Sequence, residues 1–120
     1  MRQVNGTSSD SEHLLIETNS PWESNDSRDF LQLAKALLDT GARVHLYLIQ
    51  NGVLWLQQEA QTLIAMQAQY KHLLQLSVDD MSLDLRGMSR YNAGRTCAVR
   101  GIEFMVSAMA APNVKTIWHS

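Results

Sequence analysis

The run Val44-His45-Leu46-Tyr47-Leu48-Ile49 constrains this chain more than any other stretch. Six apolar or half-apolar residues in succession, with β-branched and aromatic members, make a strand that has no face to show to water. Such a strand belongs to a parallel sheet covered by helices on both sides. Asn51-Gly52 breaks it. In open α/β sheets the carboxyl ends of the strands are where ligands bind, so the residues that end neighbouring strands are expected to meet beside Asn51.

The surrounding pattern agrees with that fold. Residues 1–12 are polar and rich in Ser, Asn and Gly, and are expected to be a flexible arm ahead of a single domain over 13–120. A short strand is expected over 13–18, then a polar loop. A helix over 27–39 follows, with Asp26 as N-cap, Phe30, Leu33, Ala34, Leu37 and Leu38 as its buried stripe, and Gly41 to close it. After the 44–49 strand come a helix over 53–70 and a strand over 73–76. The buried side of that helix is expected to be Leu56, Ala60, Leu63, Ile64 and Met66. Ser77 stands three residues before Asp80 at capping-box spacing, which opens a short helix stopped by Gly87. A loop over 88–95, a last helix over 97–110 and a strand over 114–118 complete the chain. Alternation of this kind predicts an α/β fold, three layers α/β/α around a mostly parallel sheet.

The last helix carries apolar residues on more than one face, among them Ile102, Phe104, Val106 and Met109. A homo-oligomer is expected on that ground. A net charge of −2 over 120 residues argues against a nucleic-acid coat, so no direct nucleic-acid partner is expected. No apolar run approaches the roughly 18 residues of a membrane span, and the first residues lack the apolar segment of an export signal. No membrane partner is therefore expected, and the location is expected to be cytoplasmic. Cys97 is the only cysteine, which leaves no intrachain disulfide and no cysteine-based zinc cage.

The motifs that hold common cofactors are missing. Neither G-x-G-x-x-G nor G-x-x-x-x-G-K-[ST] occurs, nor G-x-S-x-G, nor H-E-x-x-H, and no cofactor or metal is expected. What remains is a set of polar residues at the expected carboxyl edge: Glu17, Thr18 and Asn19, then Gln50 and Asn51, then Ser77, Asp79 and Asp80, then His119 and Ser120. From these and the following loop, Asn19, Asn51, Asp79, Asp80 and Arg86 are the candidate binding residues. Asp79, Asp80 and Asp84 suit either an acid/base or metal cluster, or the dipole and caps of a helix N-terminus, and the second is the simpler account. Arg86, Arg90, Arg95 and Arg100 suit a phosphate or an acidic surface, or a solvated loop that offsets those aspartates. Cys97 is the candidate catalytic residue as the only thiol. At a helix start between Arg95 and Arg100 its thiolate would be stabilised, although a lone cysteine is more often a small core residue.

The stretch from Phe30 through Ala34-Lys35-Ala36-Leu37, Gly41 and the 44–49 strand to Gly52-Val53 resembles the DsrE/DsrF/TusD-type proteins. Leu85-Arg86-Gly87-Met88 and the closing helix and strand up to Ile117-Trp118 resemble them too. The resemblance implies a DsrE-like α/β/α domain, assembled as trimers or hexamers, and a sulfur-relay protein as partner. It also implies a cysteine just after the third strand that carries sulfur as a persulfide. Counting back from Arg86-Gly87, Asp79 stands at about that position. A carboxylate does not accept sulfane sulfur, because the transfer needs a polarizable thiolate attacking a persulfide sulfur. The expected function is thus an accessory or ligand-binding DsrE-like protein without the acceptor cysteine. The alternatives are a sulfur carrier on Cys97, and a small acid/base or metal-dependent enzyme using Asp79 and Asp80 with His119. Whether the protein is an enzyme stays open at this point.

Overall fold

Leu46, Tyr47 and Leu48 are 2% exposed or less, as a strand covered on both faces requires. They lie in β2 (Arg43–Leu48), which pairs in parallel with β1 (Glu12–Glu17) on one side and β3 (Leu74–Asp79) on the other. In the computed structural model of the protein the described residues are 12–23 and 25–120. The arm expected over the first twelve residues lies outside the described residues except for Glu12, which opens β1. β4 (Ala98–Arg100) and β5 (Val114–His119) complete a sheet of order β4-β3-β2-β1-β5, and every pairing in it is parallel. The long apolar strand stands in the middle.

The two faces of the sheet are covered unequally. On one side lie α1 (Asp26–Asp39), α2 (Trp55–Gln58), α3 (Ala60–Gln69), α4 (Asp80–Leu85) and α5 (Arg90–Gly94). They pack Phe30, Ala34, Leu38, Trp55, Leu63, Met66 and Leu83 against Leu15, Leu46, Leu48 and Val78. On the other side, among the described residues, α6 (Ile102–Ala110) covers Leu14, Ile16, Tyr47 and Ile49 by itself through Met105, Phe104 and Ala108. This is the three-layer α/β/α arrangement.

Several local expectations are corrected. Asn25, not Asp26, stands at the N-cap of α1, and Leu31 joins its buried face while Leu33 is 37% exposed. Docking on the sheet has rotated the stripe by part of a turn. Gly41, at φ +90, closes the helix as expected. The single helix over 53–70 is a 3₁₀ turn (Gln50–Leu54) followed by α2 and α3, which are separated at Glu59. There the Glu59 backbone, at φ −139 and ψ 39, leaves the helical region. Of the side expected to be buried, Leu63 and Met66 are, whereas Ile64 is 43% exposed. β3 runs on to Asp79, and Asp79 rather than Ser77 caps α4. The loop over 88–95 contains α5, capped by the Ser89 side chain on the Asn92 N–H. The helix expected from 97 begins at Ile102, because Ala98-Val99-Arg100 pair with Ser77-Val78-Asp79 as β4. A three-residue strand is too short to leave a period in the sequence, and pairing to β3 decides it.

The ends of β1 and β2 are drawn together tightly. The Ile49 N–H donates to the Glu17 carbonyl at 3.0 Å, and a Cβ placed on Gly52 would lie 2.0 Å from that same oxygen. Gly52→Ala should therefore lower stability by about 3 kcal/mol or more, because backbone rather than a flexible side chain must yield. Gly94→Ala, where the nearest atom is Val99 Cγ2 at 3.9 Å, should change it by less than about 1 kcal/mol. Urea unfolding of the two variants checks the contrast.

Candidate functional site at the carboxyl edge of the sheet

The chain leaves β3 towards α4 on one face and leaves β4 towards α6 on the other. Adjacent strands whose connections part in this way create the crevice where open α/β sheets bind ligands. Asp79 and Asp80 end one of these strands, Arg100 and Gly101 the other. Asp79 is 4% exposed, and its carboxylate accepts the Ser82 N–H at 3.0 Å and the Ser82 hydroxyl at 2.7 Å. Its other oxygen accepts the Tyr47 hydroxyl at 3.2 Å. Tyr47 Oη also lies 3.2 Å from the Gly101 carbonyl and 3.5 Å from that of Arg100, so one phenol ties the ends of β2, β3 and β4. Burial, and then the Asp79 carboxylate, push its pKa well above the usual phenol range. Tyr47 stays a hydrogen-bond donor.

Next to this knot, Asn51 and Arg86 meet. Asn51 Oδ1 accepts from Arg86 Nε at 3.0 Å and Nη2 at 2.8 Å, and Arg86 Nη1 donates to the Ser82 carbonyl at 3.2 Å. The Gln50 N–H, on a residue with φ 57, donates to the Ser82 hydroxyl at 2.8 Å. Asn19 joins through its backbone, its carbonyl accepting Trp55 Nε1–H at 3.1 Å. A hollow of about 370 Å³ opens beside Arg86, lined also by Gly87, Met88, Ser89, Asn92 and Thr96. A second, of about 310 Å³, involves Glu12, Arg43, His45 and Gln75 at the amino edge. Only the first adjoins the residues singled out from the sequence.

The arginines are largely committed. Arg90 grips Asp84 with two nitrogens and lies 3.8 Å from Asp80, holding the exposed Asp84 carboxyl below its usual range. Arg100 lies over the Phe104 ring at 4.6 Å. Offsetting the neighbouring aspartates is thus what Arg90 does, and Asp79 and Asp80 serve the start of α4. No group of three His, Cys, Asp or Glu is placed to hold a metal among the described residues.

A further pair lies between β1 and β5. Glu17, 2% exposed, receives His119 Nδ1 at 2.6 Å and the Asn19 N–H at 3.1 Å on one oxygen. Burial is the largest influence and raises its carboxyl pKa, against the lowering effect of these hydrogen bonds. The sequence places both residues at strand ends but does not pair them, since they are 102 positions apart. Tyr47 and Ser82 were not singled out either. The available signal was a lone tyrosine among aliphatics in a covered strand, whose hydroxyl has to find a partner.

Cys97 precedes β4 and lies 8% exposed in the core of the five-helix side, its Sγ 3.7 Å from the Ala93 carbonyl. Arg100 is level with Asp79, so Cys97 sits three residues, or roughly 10 Å, back along the strand direction. Burial pushes its thiol up to about 12. That is opposite to the lowering expected at a helix start, because Cys97 lies buried ahead of β4 and no helix begins there.

A profile of the DsrE/DsrF-like family matches residues 13–115. The chain belongs to the DsrE/DsrF-like family, which relates it to sulfur-relay proteins. No curated protein matches it. No helix among the described residues is long and apolar enough to cross a membrane.

Two predictions follow from the buried polar groups on the α6 side. Asp79→Ala removes the cap of α4 and leaves the Tyr47 hydroxyl without its carboxylate, and should lower stability by about 2–4 kcal/mol in thermal or urea unfolding. His45 bonds the Ser77 hydroxyl at 2.7 Å beneath Phe104, and burial, then the charge of Arg100, lower its pKa from 6.5 to about 4. A histidine with a depressed folded-state pKa contributes stability that is present above 6.5 and is lost as pH falls through about 4. The loss is on the order of 3 kcal/mol at most, and Glu17, whose pKa is raised, acts in the opposite sense. Urea midpoints measured at intervals across this window should fall with pH in the native protein and fall less in His45→Gln.

Proposed function

We propose that this protein is an accessory or ligand-binding DsrE-like subunit that works without a persulfide cysteine. It presents Asn19, Asn51, Asp79, Asp80 and Arg86 at the carboxyl edge of its sheet. The observation that carries this reading is the state of Asp79. It stands at about the position where the resemblance puts the acceptor cysteine, and its carboxylate is engaged by Ser82 and Tyr47. A carboxylate has no polarizable sulfur with which to attack a persulfide. The alternative carrier, Cys97, is a buried thiol that holds its proton, which disfavours attack. An acid/base role for Asp79 and Asp80 has less support, because Asp79 serves as a cap and Asp80 faces Arg90. Arg86, anchored by Asn51 beside the 370 Å³ hollow, supports an anionic group on the ligand or partner. A sulfur-relay protein is the partner class that the family suggests.

The subunit acts as a homo-oligomer, a trimer or hexamer, in the cytoplasm. Supporting the assembly, Ile102, Val106 and Met109 of α6 are 44%, 56% and 38% exposed, and Trp118 on edge strand β5 is 47% exposed. An apolar surface of this kind on the thinly covered side of a sheet is what a subunit interface buries.

Intact-mass measurement after incubation with polysulfide tests the function. No gain of sulfur is expected, and a gain of one sulfur that vanishes in Cys97→Ser would overturn the accessory reading in favour of the carrier. Light scattering tests the assembly. The native protein should run well above the 13.5 kDa of one chain, and Val106→Asp should shift it towards that mass.

A further inference from the structure

Glu17 and His119 are held more elaborately than two strands need. β1 and β5 already pair along six registered positions, from Glu12 with Val114 to Glu17 with His119. Beyond the last of these, the Thr18 N–H and hydroxyl both donate to the His119 carbonyl, at 3.1 and 2.7 Å. The imidazole stacks on Phe30, with centroids 5.0 Å apart and planes at 24°. Into this setting the fold brings a carboxylate with a side chain only 3% exposed. Burying such a group works against stability unless it is paired, and even a paired one is weak evidence of a stabilising device. What the contact does accomplish is chemical. A carboxylate on Nδ1 fixes the imidazole tautomer with its proton on that nitrogen, and leaves the Nε2 lone pair as the basic position.

Nε2 has no hydrogen-bond partner among the described residues. The side chain as a whole is 14% exposed. Its surroundings are therefore asymmetric. One nitrogen is held by Glu17, and the other has no hydrogen-bond partner among the described residues.

We propose that Glu17 and His119 form a proton-accepting pair for a ligand carrying a weakly acidic hydroxyl or thiol. The Nε2 lone pair takes the proton from the ligand O–H or S–H. The imidazolium so formed keeps its Nδ1–H on the Glu17 carboxylate, and the ligand is left as an alkoxide or thiolate until it takes the proton back. This role stands apart from the binding reading above, since it rests on the β1–β5 pair alone. His119 is the group that touches the ligand, and Glu17 is a positioning residue.

Two measurements test it, the first on the native protein. Nitrogen-15 NMR of labelled protein should find neutral His119 protonated on Nδ1 and bare on Nε2. In diethyl pyrocarbonate labelling followed by peptide mass mapping, His119 should react at least as fast as the exposed His72, despite its smaller exposure. Glu17→Gln should slow that labelling about tenfold at a pH where both rings are neutral, with His72 unchanged. A proton found on Nε2, or His119 reacting more slowly than His72, would mark the pair as structural and end the proposal. Equal labelling in native protein and folded Glu17→Gln would end the role of Glu17. If the variant does not fold, the two native measurements decide.

Discussion

A strand buried on both faces can satisfy its backbone N–H and C=O groups only through other strands, and the organisation of this protein depends on that requirement in β2. β1 and β3 supply the partners, and because both run parallel to β2 all three carboxyl ends arrive at one edge. Every polar contact of the candidate site descends from this alignment. The bond from the Ile49 N–H to the Glu17 carbonyl brings the turn after β2 against the end of β1. The missing side chain of Gly52 is the condition for that approach.

The unequal covering of the sheet has consequences for function. Among the described residues five helices seal one face, and there Cys97 is a buried core residue whose thiol pKa is raised by burial. On the other face one nine-residue helix covers a greasy centre and leaves apolar side chains of α6 and β5 in water. Under that helix lie the polar residues that strand alternation points the same way, His45 and Tyr47 from β2 and Ser77 and Asp79 from β3. Each has found a partner there.

Much of this was legible beforehand where the signal was periodic or dense. The 44–49 run, the helical stripe containing Phe30, Ala34 and Leu38, and Gly41 at the end of α1 were read correctly because propensity, burial and turn chemistry agree there. The strand ends were expected to meet beside Asn51, but its contact with Arg86, which lies past α4, was not predicted. β4 was not legible, because Ala98-Val99-Arg100 borders a strongly helical segment and is a strand only by pairing with β3. The same error made Cys97 look like a helix-start thiol.

Taken alone, the sequence determined the class of fold, since an uninterrupted apolar strand between helical stripes has few ways to bury itself. It also determined which residues lie at strand ends, and that no thiol stands directly after the third strand. The tertiary structure alone decided the pairings: Tyr47 with Asp79, Arg90 with Asp84, and Glu17 with His119 across 102 positions. The physical reason is range. Periodicity reports how a segment meets water within a turn or two, whereas a hydrogen bond between strands depends on which strands become neighbours, and that is settled only when the whole sheet closes around its core.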